Sequence, residues 1–462
     1  HTSITPPRNI NGMMQKSGAV FFPVIKGRTA KDFLELDRPY IRSINKLQNS
    51  GWRINRRVLD VIEKYKEVFS SSIPFEDNDA KELKRRSQAL EWSFIIAKAN
   101  ILKDEDIFYQ YLDADYRGRL YYKEPFLNYQ GSDISRGMLK FARAKPMTQE
   151  GLYWLAVHTA TSYNASFSVD DIPEWCESDY KSYLKDEGLD DISVDKMTLD
   201  DRVRWVNENM DEIISLGIDG EIDSEAEKIV TFLACCIEWS DYTKAVKDKR
   251  IHMSNLPIPI DGSNNGWQHL GAISKDTQTG DLVGLIPREI QKDFYVQTAK
   301  ELINLTDDER LINILNMMPM KSIRKGITKR GSMTRAYSAG AKKIAENMFF
   351  DCKAEDYHTE YGITQDDCNK FAKVLIKAIN NVCPGPLQTM SYLQELAKYE
   401  LGTFKKVDED GEIAGPEYKE AVKRRSELFK TKDITDEEID ELNELVKFTS
   451  KYKSILVYGN GA

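Results

Sequence analysis

Residues 324–340 read Arg-Lys-Gly-Ile-Thr-Lys-Arg-Gly-Ser-Met-Thr-Arg-Ala-Tyr-Ser-Ala-Gly, and this stretch decides how the chain is to be understood. It contains no Pro, and its flanks suit a helix. At helical spacing Lys325, Lys329, Met333 and Tyr337 recur every fourth residue and share one face. Along that face two cations are followed by a soft apolar side chain and then by an aromatic ring. Lysines one turn apart suit the phosphates of a triphosphate, and a ring two turns further on suits a base or sugar. A solvated helix normally mixes charge signs. Residues 321–343 instead hold eight Lys or Arg, Arg330 among them, and no Asp or Glu.

Working outward, composition sets broad limits. The 462 residues are 41% hydrophobic and 30% charged, as in a folded chain of roughly two to four domains or one large multi-lobed enzyme. The net charge of −9 argues at first against a nucleic-acid partner. Its distribution reverses that: residues 170–228 carry twenty acidic and six basic side chains, a net of −14, which leaves +5 for the remainder. A nucleic-acid channel needs local positive potential, not a basic whole. No run approaches the roughly 20 apolar residues of a membrane span, and no signal peptide is visible, so a cytoplasmic location is expected (the host cytoplasm for a phage-encoded chain). The six cysteines, at 176, 235, 236, 352, 368 and 383, form no C-x-x-C pair. They read as reduced core thiols, not as a zinc or disulfide framework.

Periodicity gives the coarse organisation. Residues 1–30 read as loop, 31–110 mainly as helix, 107–122 as β, and 134–165 as helix again. The acidic block 168–228, with Gly188, Gly217 and Gly220 as breakers, resembles a solvated surface insertion. Residues 226–246 form an apolar helix. Helices are expected at 267–270, 286–304, 308–318, 339–351 and 364–402, ahead of a charged end at 403–455.

Two further constellations bear on chemistry. Leu256-Pro-Ile-Pro-Ile-Asp261 reads as a buried strand delivering a carboxylate, followed by the turn Gly262-Ser-Asn-Asn-Gly266. Asp261 with the Gly262 carbonyl offers oxygen ligands for Mg²⁺; taken alone, the hexamer reads first as an ordinary Asp-Gly turn. Asp115-Tyr-Arg117-Gly-Arg119 lets two guanidinium groups approach a phosphate backbone; its plain alternative is a surface hairpin.

The three motifs, in this order, resemble those of the single-subunit phage-type RNA polymerases, the family shared by phages and mitochondria. Asp115–Tyr121 looks like the family's Asp-x-x-Gly-Arg motif, Asp261–His269 like motif A, and 325–337 like motif B. Ser50–Leu59 and Gly151–Leu155 also have a family look. The resemblance implies an α+β, helix-rich, right-hand polymerase (palm, fingers and thumb) with a small antiparallel palm sheet carrying Asp261, incomplete in this chain. It implies DNA-dependent RNA synthesis from ribonucleoside triphosphates by a two-metal mechanism, with DNA template and RNA product as partners. Asp261 and Gly262 would hold two Mg²⁺ ions. Lys329 would face the triphosphate and act as general acid. Lys325, where the family usually has Arg, and Arg330 would bind substrate. Met333 would pack beside the nascent pair, Tyr337 would close the nucleotide site and sense the 2′-hydroxyl, and Gly266 would leave room beside it. Arg117 and Arg119 would touch nucleic acid.

The implied segments are 1–110 leading into the palm, 111–165 with the Asp-x-x-Gly-Arg motif, 166–228 the acidic insertion, 229–285 the palm with motif A, 286–402 the fingers, and 403–462 a charged end. The family's motif C, His-Asp-Ser, brings a second metal-binding Asp. None of the five histidines here precedes an Asp. Motif C, and the promoter-binding N-terminal region, are therefore expected on a second polypeptide or a missing segment. A DNA polymerase or primase-like enzyme of the same superfamily, and a non-catalytic nucleic-acid-binding remnant, are the rival readings.

Overall fold

The apolar run expected over 226–246 forms the Ile229–Lys247 helix, and every residue from Val230 to Ser240 is buried. A helix apolar all round must be covered on all sides. On one side lie the Trp52–Ile54 strand, paired antiparallel with Leu139–Phe141, and the Arg56–Lys64 and Ala80–Leu102 helices. They close a core through Val58, Leu59, Ile62, Ile95 and Met138. On the other lie the helices Gln149–Tyr163, Tyr180–Glu187, Leu199–Glu208 and Met210–Asp219. Their core residues include Leu155, Tyr180, Leu184, Trp205 and Ile213. The buried Glu238 on the central helix is paired with His252 at 2.8 Å and with Lys140 at 3.5 Å. Burial pushes this carboxyl up, but the bond to His252 and the charge of Lys140 outweigh it and hold it ionised.

The computed structural model describes residues 2–7, 14–17, 20–23, 38–65, 80–115, 119–401, 403–407, 414–429 and 435–457. The chain divides into two units, His1–Gly262 with Glu289–Gln291, and Ser263–Arg288 with Lys292–Ala462.

The acidic block differs from its expectation. It is no solvated appendage: Tyr180, Leu184, Ile192, Val194, Trp205, Val206 and Ile213 are all buried in the core of the first unit. Most of the charges occupy the remaining helix faces, which composition alone hides, while Glu187 and Asp201 are themselves buried. Gly188 and Gly220 do end helices, at φ 67° and 61°, where a Cβ is disfavoured. Gly217 is no breaker. It lies inside the Met210–Asp219 helix, where a Cβ would stand 2.0 Å from the Cys236 carbonyl oxygen. Its missing side chain lets two helix backbones touch.

Among the described residues the strands form seven two-stranded antiparallel sheets. One pairs Met14–Ser17 with Val20–Pro23, within a stretch expected to be loop. Helix-rich with small antiparallel sheets, the fold is α+β as expected in outline. The strand expected at Leu256–Asp261 is absent. Pro257 and Pro259 supply no N–H at alternate positions, which removes the donors a ladder needs. Only Pro257 of the run is buried, and Asp261 is exposed. No sheet therefore carries Asp261.

In the second unit, helices Phe294–Leu305, Glu309–Met317, Ala341–Ala354 and Gln365–Val382 enclose Trp267, Leu302, Ile344, Met348, Phe371 and Leu375. Asp293, Asp308 and Thr364 cap three of these helices with their side chains, which satisfies amide donors that a helix start leaves open. Among its described residues the charged end holds two helices, Pro416–Leu428 and Asp436–Ser450, and an antiparallel pair, Thr403–Val407 with Lys453–Val457.

Candidate functional site

The stretch quoted first is helical, but not uniformly. A wide π-helical turn spans Ile323–Thr328, and an α-helix follows over Lys329–Arg335. Local chemistry accounts for the wide turn. The Thr328 hydroxyl bonds the Arg324 carbonyl at 3.2 Å and the Tyr295 carbonyl at 3.0 Å, and it competes with the backbone for the first of these. The Lys329 N–H then reaches five residues back, to the same Arg324 carbonyl. Gly326 lets the turn lie against Tyr357, whose Cδ2 a Cβ would meet at 2.7 Å.

The exposed face survives this change. Lys321, Lys325, Lys329, Met333 and Tyr337 are exposed, as is Arg330, while Ile323, Ile327, Thr328, Gly331 and Ser332 are buried. The helix ends at Arg335, so Tyr337 stands in the turn beyond it and not on the helix as expected. The unopposed positive charge read from residues 321–343 is also corrected. Acids from other elements answer it: Lys325 pairs with Glu355 at 2.6 Å, Arg330 with Asp351 at 3.1 Å, and Arg324 with Asp293 at 2.7 Å. Burial pushes the Asp351 carboxyl up, against the pull of Arg330 and Lys329.

The residues after Asp261 meet this stretch within the second unit. Asn264 takes a left-handed conformation, φ 54°, and starts the Asn265–Ser274 helix; Asn tolerates that conformation better than most residues. Its Oδ1 accepts from the Tyr295 hydroxyl, and Arg324 lies over the Tyr295 ring at 5.5 Å. The buried Trp267 donates its indole N–H to the Ser332 carbonyl at 3.0 Å. These ties bring Gly266 against Tyr337: a Cβ on Gly266 would stand 3.0 Å from Ala336 Cβ and 3.3 Å from the Tyr337 hydroxyl oxygen. That hydroxyl donates to Asn265 Oδ1 at 3.0 Å. Reading the sequence did not single out Asn265 or Trp267. Their only signal was their place inside the Asp261–His269 motif.

Asp261 and Gly262 belong to the first unit, where the Gly262 N–H donates to Asp261 Oδ1 at 2.9 Å. Among the described residues no group of three or more His, Cys, Asp or Glu gathers as a metal site. Asp261 thus offers a single exposed carboxylate, with the Gly262 carbonyl beside it. Arg119 also lies in the first unit, exposed, beside the antiparallel pair Leu112–Ala114 and Leu120–Tyr122. Asp115 accepts from the Arg119 N–H at 3.0 Å and the Tyr121 hydroxyl at 3.2 Å. Arg117 lies outside the described residues. All six cysteines are free thiols, and five of them are buried. Among the described residues no helix is long and apolar enough to cross a membrane.

A family model described as DNA-dependent RNA polymerase matches residues 145–423. The chain is 25% identical over 452 residues to DNA-directed RNA polymerase 1, mitochondrial, of Arabidopsis thaliana, covering 86% of this chain and 42% of that protein. It is 26% identical over 408 residues to DNA-directed RNA polymerase 2, chloroplastic/mitochondrial, of the same plant, covering 78% and 37%. To DNA-directed RNA polymerase 3, chloroplastic, of Nicotiana sylvestris it is 24% identical over 449 residues, covering 86% and 42%. The chain thus spans about two fifths of the length of these relatives.

Proposed function

The chain belongs to the DNA-dependent RNA polymerase family, and from that membership we propose that it supplies motifs A and B to a template-directed enzyme that adds ribonucleotides to RNA. The observation that carries this reading is the meeting of Gly266, Asn265 and Tyr337 at the end of the exposed Lys325–Lys329–Met333 face. Lys325, Lys329 and Arg330 then bind the triphosphate, with Lys329 as proton donor to the leaving pyrophosphate. Met333 packs beside the new base pair. Tyr337, its hydroxyl held by Asn265, stands at the sugar, and Gly266 keeps the space beside it open. Arg117 and Arg119 hold nucleic acid through its phosphates. Within the right-hand scheme, 229–285 is palm and 286–402 is fingers.

Asp261 and the Gly262 carbonyl are the oxygen donors this chain brings to Mg²⁺, which when bound neutralises charge on the attacking and leaving oxygens. A hard cation suits such donors, and one carboxylate falls short of the two that a two-metal site shares. A second polypeptide or segment carrying motif C is therefore part of the proposal. The relatives have organellar names, so cell fractionation is the check on the cytoplasmic location we retain.

The deciding experiment is Asp261→Ala in the active assembly. Nucleotide addition is expected to vanish while template affinity stays within about 1 kcal/mol. Normal extension by that variant would leave a nucleic-acid-binding role only. A wild-type preference for deoxyribonucleotides would move the chain to the DNA polymerase side of the superfamily.

A further inference from the structure

The acidic block, besides completing a core, lines a cavity of about 210 Å³ in the first unit. Four aromatic rings face it, those of Tyr163, Phe167, Trp205 and Phe232, with Glu212 and Asp223 also in the lining. Tyr163 stands 5.0 Å, centroid to centroid, from both Trp205 and Phe232. Trp205 and Phe232 are buried, Tyr163, Phe167 and Asp223 half-buried, and Glu212 exposed, so Trp205 and Phe232 form the floor and Glu212 stands at the mouth. Among the described residues no Lys or Arg contributes to the lining. The Tyr163 hydroxyl donates to Glu225 at 3.4 Å. Burial, followed by the charges of Asp223, Glu225 and Glu212, pushes that hydroxyl up to about 12.

Ring faces and carboxylates attract the same kind of guest. The electron-rich face of an aromatic ring stabilises a poorly hydrated organic cation, and an apolar floor accepts the aliphatic stem that carries one. A hydrated inorganic ion gains little from such walls. Size narrows the choice, since pockets for drug-sized ligands run from about 300 to 1,000 Å³ and this one is smaller. Charge narrows it again. The block carries a net −14, far more than one bound cation neutralises, which favours a guest with further positive charges beside it.

We propose that this cavity receives an arginine or lysine side chain from a basic segment of a partner protein, whose neighbouring cations pair with the surrounding acidic surface. The site is independent of the polymerase reading. It makes the acidic block an assembly surface.

The test is calorimetric titration of the full 462-residue chain with a short Arg-Gly repeat peptide, alongside propylguanidinium. The peptide is expected to bind, and to weaken as salt rises. A Glu212→Gln/Asp223→Asn pair, and separately Phe167→Ala, should each weaken it about tenfold. A control pair removing the same charge from the block outside the cavity, Glu174→Gln/Asp190→Asn, should change it less than about twofold. Thermal melts of every variant identify any loss that comes from unfolding. Equal losses in the two pairs would reduce the effect to bulk attraction and overturn the proposal, as would no peptide binding. Propylguanidinium binding as tightly as the peptide would replace the protein guest with a small cation.

Discussion

The Tyr337 hydroxyl and Asn265 Oδ1 lie 3.0 Å apart, and that bond yields a prediction of defined size. Tyr337→Phe removes the donor, and Asn265→Ala removes the acceptor. A neutral hydrogen bond contributes about 0.5–1.5 kcal/mol net. Tyr337 is 59% exposed, so for folding the lower end applies, and both variants should melt close to wild type. With a nucleotide seated and water excluded, the bond works near the upper end, which corresponds to about tenfold in a rate ratio. The assay is kcat/KM for a matched ribonucleotide and its deoxy counterpart, measured on the active assembly for wild type, both single variants and the double. Each single should lower the ribo preference by roughly three- to tenfold, and the double by no more than either, because all three break one bond. Multiplicative losses would mean that the two residues act separately, refuting the claim that Asn265 positions Tyr337. An unchanged ratio in Tyr337→Phe would remove the hydroxyl from sugar selection altogether.

Two predictions concern the scaffold. Gly217→Ala gains about 1 kcal/mol of helix propensity, but its Cβ would fall 2.0 Å from the Cys236 oxygen and 2.4 Å from the Cys236 carbonyl carbon, both backbone atoms. Overpacking there should cost about 3 kcal/mol or more, so the urea midpoint drops with its slope unchanged; a rise would show that the helices do not cross this closely. Asp367 accepts two bonds from Arg310, at 2.6 and 2.8 Å. Burial pushes its carboxyl up, yet those bonds and Thr364 prevail and bring it down to about 2. A folded-state value below the unfolded one stabilises above the unfolded value and is lost as pH falls through the folded one. The contribution is about 1–2 kcal/mol after allowing for the half-exposed Arg310. The stability gap between wild type and Asp367→Asn should therefore shrink from about pH 5 down to pH 2, and a gap independent of pH would deny the coupling.

Periodicity found what periodicity can carry. The Ile229–Lys247 and Gln365–Val382 helices were legible because their burial repeats along the chain itself. So was the exposed face through Lys325, Lys329 and Met333. Three things were not legible, each for a reason outside its own stretch. Whether Leu256–Asp261 becomes a strand depends on a pairing partner, and two prolines withhold the donors. The charge balance of residues 321–343 depends on Asp293, Asp351 and Glu355, which composition assigns elsewhere. Gly217 looked like Gly188 and Gly220 because no local pattern separates a glycine that ends a helix from one that another backbone presses against.

The wide turn at Ile323–Thr328 also sets the chain's tolerance to changes in length. A wide turn is an α-helix carrying one extra residue, so removing one residue there would turn the bond from Lys329 N–H, now five residues back to the Arg324 carbonyl, into an ordinary four-residue one and keep the downstream helix in register. Lys329 and Met333 would keep the solvent side, and Gly331 would keep its place against Leu375 and Ile344. A surface loop absorbs a one-codon deletion with little consequence. In this stretch the wide turn absorbs the same deletion by narrowing, whereas a one-residue insertion finds no such slack and would turn Lys329 and Met333 away from the solvent side.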